Sequence, residues 1–299
     1  MPPECDIVGL VLHFRTPGRT LMCLQSLADE GIAKVVLVDN SEDAGESIKA
    51  MQAGLAGLAD AGLRAEVLQP VRNLGFAAGV GMGLEHVSRN LRASVLLINS
   101  DATLERGALA AMINGLRDAA CVALPARSSS EAPPSPSLVF YQRFLALYLR
   151  HPSVGVVSYL SGCCLLIRAD QVRPDLFDTD FFFYGEDVML GCDLARRGVS
   201  VAECMEATVI HTGSASSKNG SMFYEYHMVR AHWLLARKLA RNGFEQALFV
   251  AARCLTLPLR AVVRSVRGRT LTPWRGLVAA TADVLRGRCR SFTPPAMQS

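Results

Sequence analysis

The most constraining feature of this chain is an alternation. Strand-length apolar runs, with little polar interruption, take turns with segments of helical period over the first 120 residues. Residues 7–14 (IVGLVLHF), 33–39 (AKVVLVD), 65–69 and 94–99 (SVLLIN) read as strands. Residues 18–29, 46–62, 75–92 and 105–118 read as helices. Strands that are apolar on both faces must be covered on both faces, so the pattern predicts a mostly parallel sheet sandwiched by helices. Ligands of such sheets bind beyond the carboxyl ends of the strands. Two polar clusters stand at those ends, 38-VDNSED-43 and 98-INSDAT-103.

The second half is less regular. Residues 128–137 (SSSEAPPSPS) predict a loop, 161–170 a strand, 186–197 a helix and 199–211 one or two short strands. From 221 the pattern is helical. The chain therefore divides into a body, residues 1–217, and an extension, 218–299. The body has a nucleotide-binding half of about 1–127 and a second half of about 138–217. With half of the 299 residues hydrophobic, a sizeable core is expected. The nine cysteines form no CxxC pair and no leader-like segment opens the chain. Reduced thiols in a cytosolic protein are the expectation.

The net charge of +4 hides an asymmetry: 17 Lys+Arg against 24 Asp+Glu in 1–217, and 14 against 3 in 218–299. A basic appendage suggests an anionic surface as partner. Arg253, Arg260, Arg264 and Arg267 fall on one stripe of a helix that contains Pro258. The run holds too many arginines for a spanning segment, which leaves an interfacial helix or an ordinary solvated face. Apart from Trp274, no aromatics interleave the basic residues, which argues against nucleic acid.

Several residues are placed for chemistry. Asp39 ends a strand and could accept hydrogen bonds from a base or ribose, though Asx turns and helix caps use Asp in the same place. Asp101 follows a buried strand and suits a hard divalent ion, Mg²⁺ or Mn²⁺; Thr103 is the better cap for the helix that follows. The glycine-rich 72-RNLGFAAGVGMG-83 misses GxGxxG because Leu84 stands at the third glycine, yet it could let backbone approach a nucleotide. In 181-FFFYGEDVML-190, four aromatics precede two acids. Either the acids charge the first turn of a helix, or the aromatics wall a sugar-sized pocket with a general base at its floor. His211 follows a strand-like TVI and is structural or a ligand.

The order of these segments resembles the family 2 glycosyltransferases, especially the bacterial branch described as rhamnosyltransferase-like. The matching stretches are VDN at 38–40, NLGFAAG at 73–79, LLINSD at 96–101, SGCCLLIR at 161–168, FDTDFFFYGEDVML at 177–190, and His211. The resemblance implies a GT-A fold and an inverting, metal-assisted transfer from a nucleotide-diphosphate sugar. By position it implies a nucleotide-sugar side made by Asp39, Asn40, Arg72, Asn73, Gly75, Phe76 and Asn99. It implies metal ligation by Asp101 and His211, a base at Asp187 beside Glu186, and an acceptor pocket near Gly162, Phe183 and Tyr184. The acceptor would be a glycan or lipid-linked glycan, with the protein peripheral on the inner face of the cytoplasmic membrane. The sequence departs from the family pattern at Leu12–Phe14, Val80, Gly81, Met189 and Asp193. Two other readings share the fold: a transferase for a soluble acceptor, and a catalytically impaired scaffold that binds nucleotide sugar.

Overall fold

The apolar runs become the middle of one sheet, and its two faces carry two separate cores. The computed structural model describes residues 6–212 and 220–290. Strands β1 (Ile7–His13), β2 (Lys34–Asp39) and β3 (Arg64–Leu68) alternate with helices α1 (Pro17–Asp29), α2 (Glu46–Asp60) and α3 (Gly75–Asn90). Then come β4 (Ser94–Asn99), β5 (Ala102–Leu104) and α4 (Ala108–Gly115). The middle of the chain is β-structure: β6 (Cys121–Ala123), β7 (Ala126–Arg127), β8 (Leu138–Gln142), β9 (Leu147–Leu149), β10 (Val156–Leu160) and β11 (Cys164–Ile167). The remainder is α5 (Glu186–Arg196), β12 (Val201–Glu203), β13 (Val209–His211), α6 (Met222–Lys238), α7 (Gly243–Gly268) and α8 (Thr272–Leu285).

The main sheet has seven strands in the order β12-β6-β11-β4-β1-β2-β3. Only β11 runs antiparallel to its neighbours, β4 and β6. Successive residues of one strand face opposite ways. Thus Val11, Leu37 and Leu96 join Leu24, Leu27 and Met51 of α1 and α2 on one face. Leu10, Val36 and Leu97 join Val80 and Leu84 of α3 on the other. The chain leaves β1 toward β2 on one side and returns to β4 on the other, so a crevice opens at the carboxyl ends of β1 and β4.

Several expectations change. The helix expected over 105–118 spans only Ala108–Gly115, and Thr103 is not its cap. Thr103 lies in β5, paired with Ile210 of β13. The cap is Gly107, at φ 83°, and the Glu30 carboxylate accepts the N–H groups of Gly107 and Leu109 at 2.7 and 2.8 Å. Residues 138–160, given no element above, form the antiparallel sheet β10-β8-β9. The boundary expected at 217/218 lies outside the described residues, as does the polar segment 213–217 after His211. Helix α6 packs into a cluster with that small sheet and α5, through Tyr141, Tyr159, Val188, Ala231 and Leu235.

The arginine stripe of α7 is real, but its direction is a correction. Arg253 is fully buried and donates to the carbonyls of His232, Phe144 and Phe249 and to the Tyr141 hydroxyl. Arg260 reaches the Tyr224 hydroxyl, and Arg264 pairs with buried Glu225 at 2.7 Å. Carbonyls, hydroxyls and the Glu225 carboxylate draw these three side chains inward, while Arg267 stays exposed. Pro258 lies inside α7, which runs unbroken past it.

Candidate active site

The crevice holds a cavity of about 320 Å³. Strand ends supply one wall: Leu12, Phe14, Asn40, Asn99, Ser100 and Asp101. The segment before α5 supplies the opposite wall, with Phe182, Phe183, Tyr184, Glu186 and Asp187, and Phe223 of α6 adds to the lining.

Asp101 and His211 are 110 positions apart, and pairing of strands joins them. β13 runs antiparallel to β5 with His211 opposite Ala102, which sets the imidazole beside the carboxylate. His211 Nε2 lies 3.1 Å from Asp101 Oδ1. Burial opposes a charge on the ring, but hydrogen bonds with Asp101 and Cys163 outweigh it and push the His211 pKa up to about 10. The site between this carboxylate and imidazole therefore favours a cation, either a proton or a metal ion that would displace it. Among the described residues no group of three or more His, Cys, Asp or Glu could hold a metal ion unaided. The fit is to an ion with two protein donors whose remaining ligands come from substrate and water.

The other wall is built differently. Tyr184 (φ 64°) and Gly185 (φ 91°) are both left-handed, which turns the chain sharply so that Glu186 and Asp187 open α5. Asp187 Oδ2 accepts the Gly162 N–H at 3.2 Å. A Cβ on Gly162 would lie 2.7 Å from Asp187 Oδ1, so glycine is what permits this approach. Among the described residues, Asp187 Oδ1 and Glu186 Oε2 are buried without a hydrogen-bond partner. Burial raises the Asp187 pKa to about 6, against the pull of the Gly162 N–H. Burial first, then the neighbouring Asp187 charge, holds Glu186 well above the usual carboxylate range.

The aromatic run divides its work. Phe181 is core, packed with Val188 and Leu235. Phe182 stacks on His227 with centroids 5.0 Å apart, and its carbonyl accepts the Phe76 N–H at 2.8 Å. Phe183 meets Phe76, Tyr184 and Phe223 edge-on. Lys238 of α6 pairs with Asp178 and Asp180, which pins the start of the segment.

Of the residues singled out from sequence, Asn40, Asn73, Gly75, Phe76, Asn99, Asp101, Gly162, Phe183, Tyr184, Glu186, Asp187 and His211 line the cavity. Asp39 and Arg72 do not. Asp39 is buried in the Asx-type role weighed above, accepting from the Ser41 N–H and from Gln69. Arg72 is exposed on the loop before α3. Asn40 organises that loop, donating to the Gly75 carbonyl and accepting from the Leu74 N–H, both at 2.9 Å. The glycines of α3 serve packing: a Cβ on Gly79 or Gly83 would strike Leu12 or Leu10 of β1, at 2.7 and 2.3 Å. Gly75, at φ 77°, lets the loop meet the Phe182 backbone. Sequence reasoning gave no role to Ser161, Cys163 or Phe223, which also line the cavity. The first two stand in the quoted 161–168 stretch; Phe223 was hidden in a region read as an appendage.

The departures at Met189 and Asp193 lie off the cavity. Met189 packs against the third hydrophobic cluster. Asp193 bridges Arg173 and Arg197.

No protein-family model and no curated protein matches the sequence. Solved structures do match. A mannosyltransferase from Pyrobaculum calidifontis, in complex with GDP-Man and Mn²⁺, aligns with a TM-score of 0.57 at 14% identity, over 95% of this chain and 88% of that one. GalNAc-T7 with UDP, GalNAc and Mn²⁺ aligns with a TM-score of 0.58 at 11% identity, over 90% of this chain and 59% of that one. This chain thus spans less than two thirds of GalNAc-T7. At such identities the likeness is one of fold, and the fold is that of the GT-A glycosyltransferases.

Proposed function

We propose that the chain is an inverting glycosyltransferase that moves a sugar from a nucleotide-diphosphate donor to a hydroxyl of a glycan or lipid-linked glycan. One observation carries this reading: a single cavity in this fold holds both the Asp101–His211 pair and Asp187, with one carboxylate oxygen unpartnered. Asp101 and His211 would hold Mg²⁺ or Mn²⁺, which when bound neutralises charge on the leaving diphosphate. The two solved structures described above each hold Mn²⁺ together with a nucleotide or nucleotide sugar.

The chain's own residues supply the rest. Asp187, with a pKa of about 6, is ionised at neutral pH and lines the cavity. It takes the proton of the acceptor hydroxyl as that oxygen bonds to the anomeric carbon and the nucleoside diphosphate leaves from the opposite side. Burial and the neighbouring Asp187 charge favour the protonated form of Glu186, which would add no second negative charge. The aromatic wall excludes water from the base. No covalent nucleophile is needed. Rhamnose is the sugar that the family resemblance suggests, and a cytoplasmic, peripheral location the matching expectation. Of the departures from the family pattern, Met189 and Asp193 stand outside the cavity while Leu12 and Phe14 line it; the Asp101 and Asp187 carboxylates at the cavity are what favour an active enzyme over a scaffold.

The test is a thermal-shift titration with dTDP, UDP and GDP and their sugars, with and without Mn²⁺ or Mg²⁺. A metal-dependent rise with one base supports the reading and names the donor class. No shift with any of them overturns it.

A further inference from the structure

Helix α7 is apolar on both faces. Its inner face carries Phe249, Leu257 and Ala261 together with Arg253, and its outer face carries aliphatic side chains. Leu255, Leu259, Val262 and Val266 are spaced four, three and four apart, on one stripe, and all are exposed; Leu255 is 76% accessible and Val266 73%. Trp274 and Val278 of α8 continue the apolar surface, Val278 at 66%. A scattered exposed leucine needs no explanation, but an ordered stripe across two helices does.

The charges around this stripe have one sign. Arg267, Arg269, Arg275, Arg286 and Arg288 are exposed at the ends of α7 and α8. Residues 218–299 contain only three acids, and each is engaged elsewhere. Glu225 is buried against Arg264, Asp283 is buried against Tyr226 and Arg290, and Glu245 contacts Arg143 and the Arg241 N–H.

We infer that the outer face of α7 and α8 is a docking surface for an anionic lipid bilayer, with α7 lying flat in the interface. Aliphatic residues enter the acyl boundary, Trp274 sits at headgroup level, and the flanking arginines meet lipid phosphates. A second copy of this chain fits less well. Closed dimers pair the same patch with itself, and that would set this arginine rim against its own image. By length and composition α7 could cross a membrane. Its inner face argues for lying flat, because Arg253 is held from outside α7 by the carbonyls of Phe144 and His232 and by the Tyr141 hydroxyl. Spanning would break these three contacts, while the bond to the Phe249 carbonyl lies within α7 itself.

The surface is coupled to the cavity. Arg260 bonds the Tyr224 hydroxyl, Arg264 lies 4.8 Å over the Tyr224 ring, and Tyr224 packs edge-on against Tyr184 of the cavity wall. The docking inference stands without the transferase reading. If both hold, the acceptor side of the cavity is tied to a helix on the membrane, as a lipid-linked acceptor requires.

The test is flotation of the full chain with phosphatidylcholine vesicles, with and without phosphatidylglycerol, while tryptophan emission is followed and compared with that of Trp274→Phe, which leaves Trp233 alone. The expected result is binding at least about tenfold tighter to the anionic vesicles, with a blue shift. Raised salt weakens binding without abolishing it, because the apolar part is unscreened. L255Q/L259Q lowers partitioning about tenfold or more and leaves the melting temperature unchanged, since both side chains are already in water. Replacing Arg267, Arg269, Arg286 and Arg288 by Gln removes the preference for phosphatidylglycerol. No binding to either vesicle overturns the inference. So does a dimer in sedimentation velocity that L255Q/L259Q dissociates and vesicles do not.

Discussion

The two walls of the cavity hold the same kind of side chain in opposite circumstances. Asp101 has a cationic partner at 3.1 Å, and the pair is electrostatically settled. Asp187 has one backbone N–H, one bare oxygen and a neighbouring acid. A partnered carboxylate keeps its charge and holds cations; an unpartnered one gives its charge up easily and exchanges protons near neutral pH. Division of labour between two aspartates thus follows from environment, as it must where one site needs both a ligand and a base.

The largest effect should come from removing the base. Asp187→Asn is expected to lower turnover about 10²- to 10⁴-fold and to leave the metal-dependent thermal shift by nucleotide diphosphate in place. In the parent protein, turnover should rise with pH along a limb centred near 6, because only ionised Asp187 accepts the proton. That limb should vanish from the residual rate of the variant. Full turnover in Asp187→Asn would end the assignment. Asp101→Asn should behave in the opposite sense. It breaks the carboxylate–imidazole pair, so metal affinity read by calorimetry in the presence of nucleotide diphosphate should fall at least about tenfold, while the pH limb near 6 remains. Equal loss of metal response in both variants would erase the contrast.

A smaller effect tests how Asp187 is held. Gly162→Ala places a Cβ 2.7 Å from Asp187 Oδ1. The carboxylate must shift, and displacement of a catalytic group by about 1 Å costs on the order of 10²-fold in rate. Turnover should fall by about that much while donor binding stays. An unchanged rate would show that the base tolerates displacement.

These contrasts were only partly visible in the sequence. The parallel half was readable because its strands are continuous apolar runs and α1–α3 carry the helical period. The antiparallel middle was not: β8, β9 and β10 are three to five residues long and mix buried with exposed positions, so no period develops. That Asp101 meets His211 depends on the register of β5 against β13, which spacing along the chain does not encode. Only the family resemblance pointed there. The arginine stripe is the sharpest case. Periodicity shows that α7 has two faces, and the usual rule sends the charged face to water. Here the carbonyls of Phe144 and His232 and the carboxylate of Glu225 are what the arginines meet, and α6 and the small sheet that carry them were not foreseen.

The smallest effect concerns stability and has the least intuitive sign. Glu186 titrates well above its ordinary 4.5, chiefly through burial. A carboxyl with a raised folded-state pKa binds its proton more tightly when folded, so the fold loses stability as pH climbs above the ordinary carboxylate range. Glu186→Gln abolishes this dependence, because the amide never has to ionise. The variant should match the parent at pH 4, where both side chains are neutral. It should melt higher by about 2 °C or more at pH 8. Asp101 is the control. Its charge is compensated by His211, so Asp101→Asn should lower the melting temperature at pH 8. If Glu186→Gln melted lower than the parent at pH 8, the second acid would be stabilised by something other than its proton. The contrast between the two walls would then reduce to Asp187 alone.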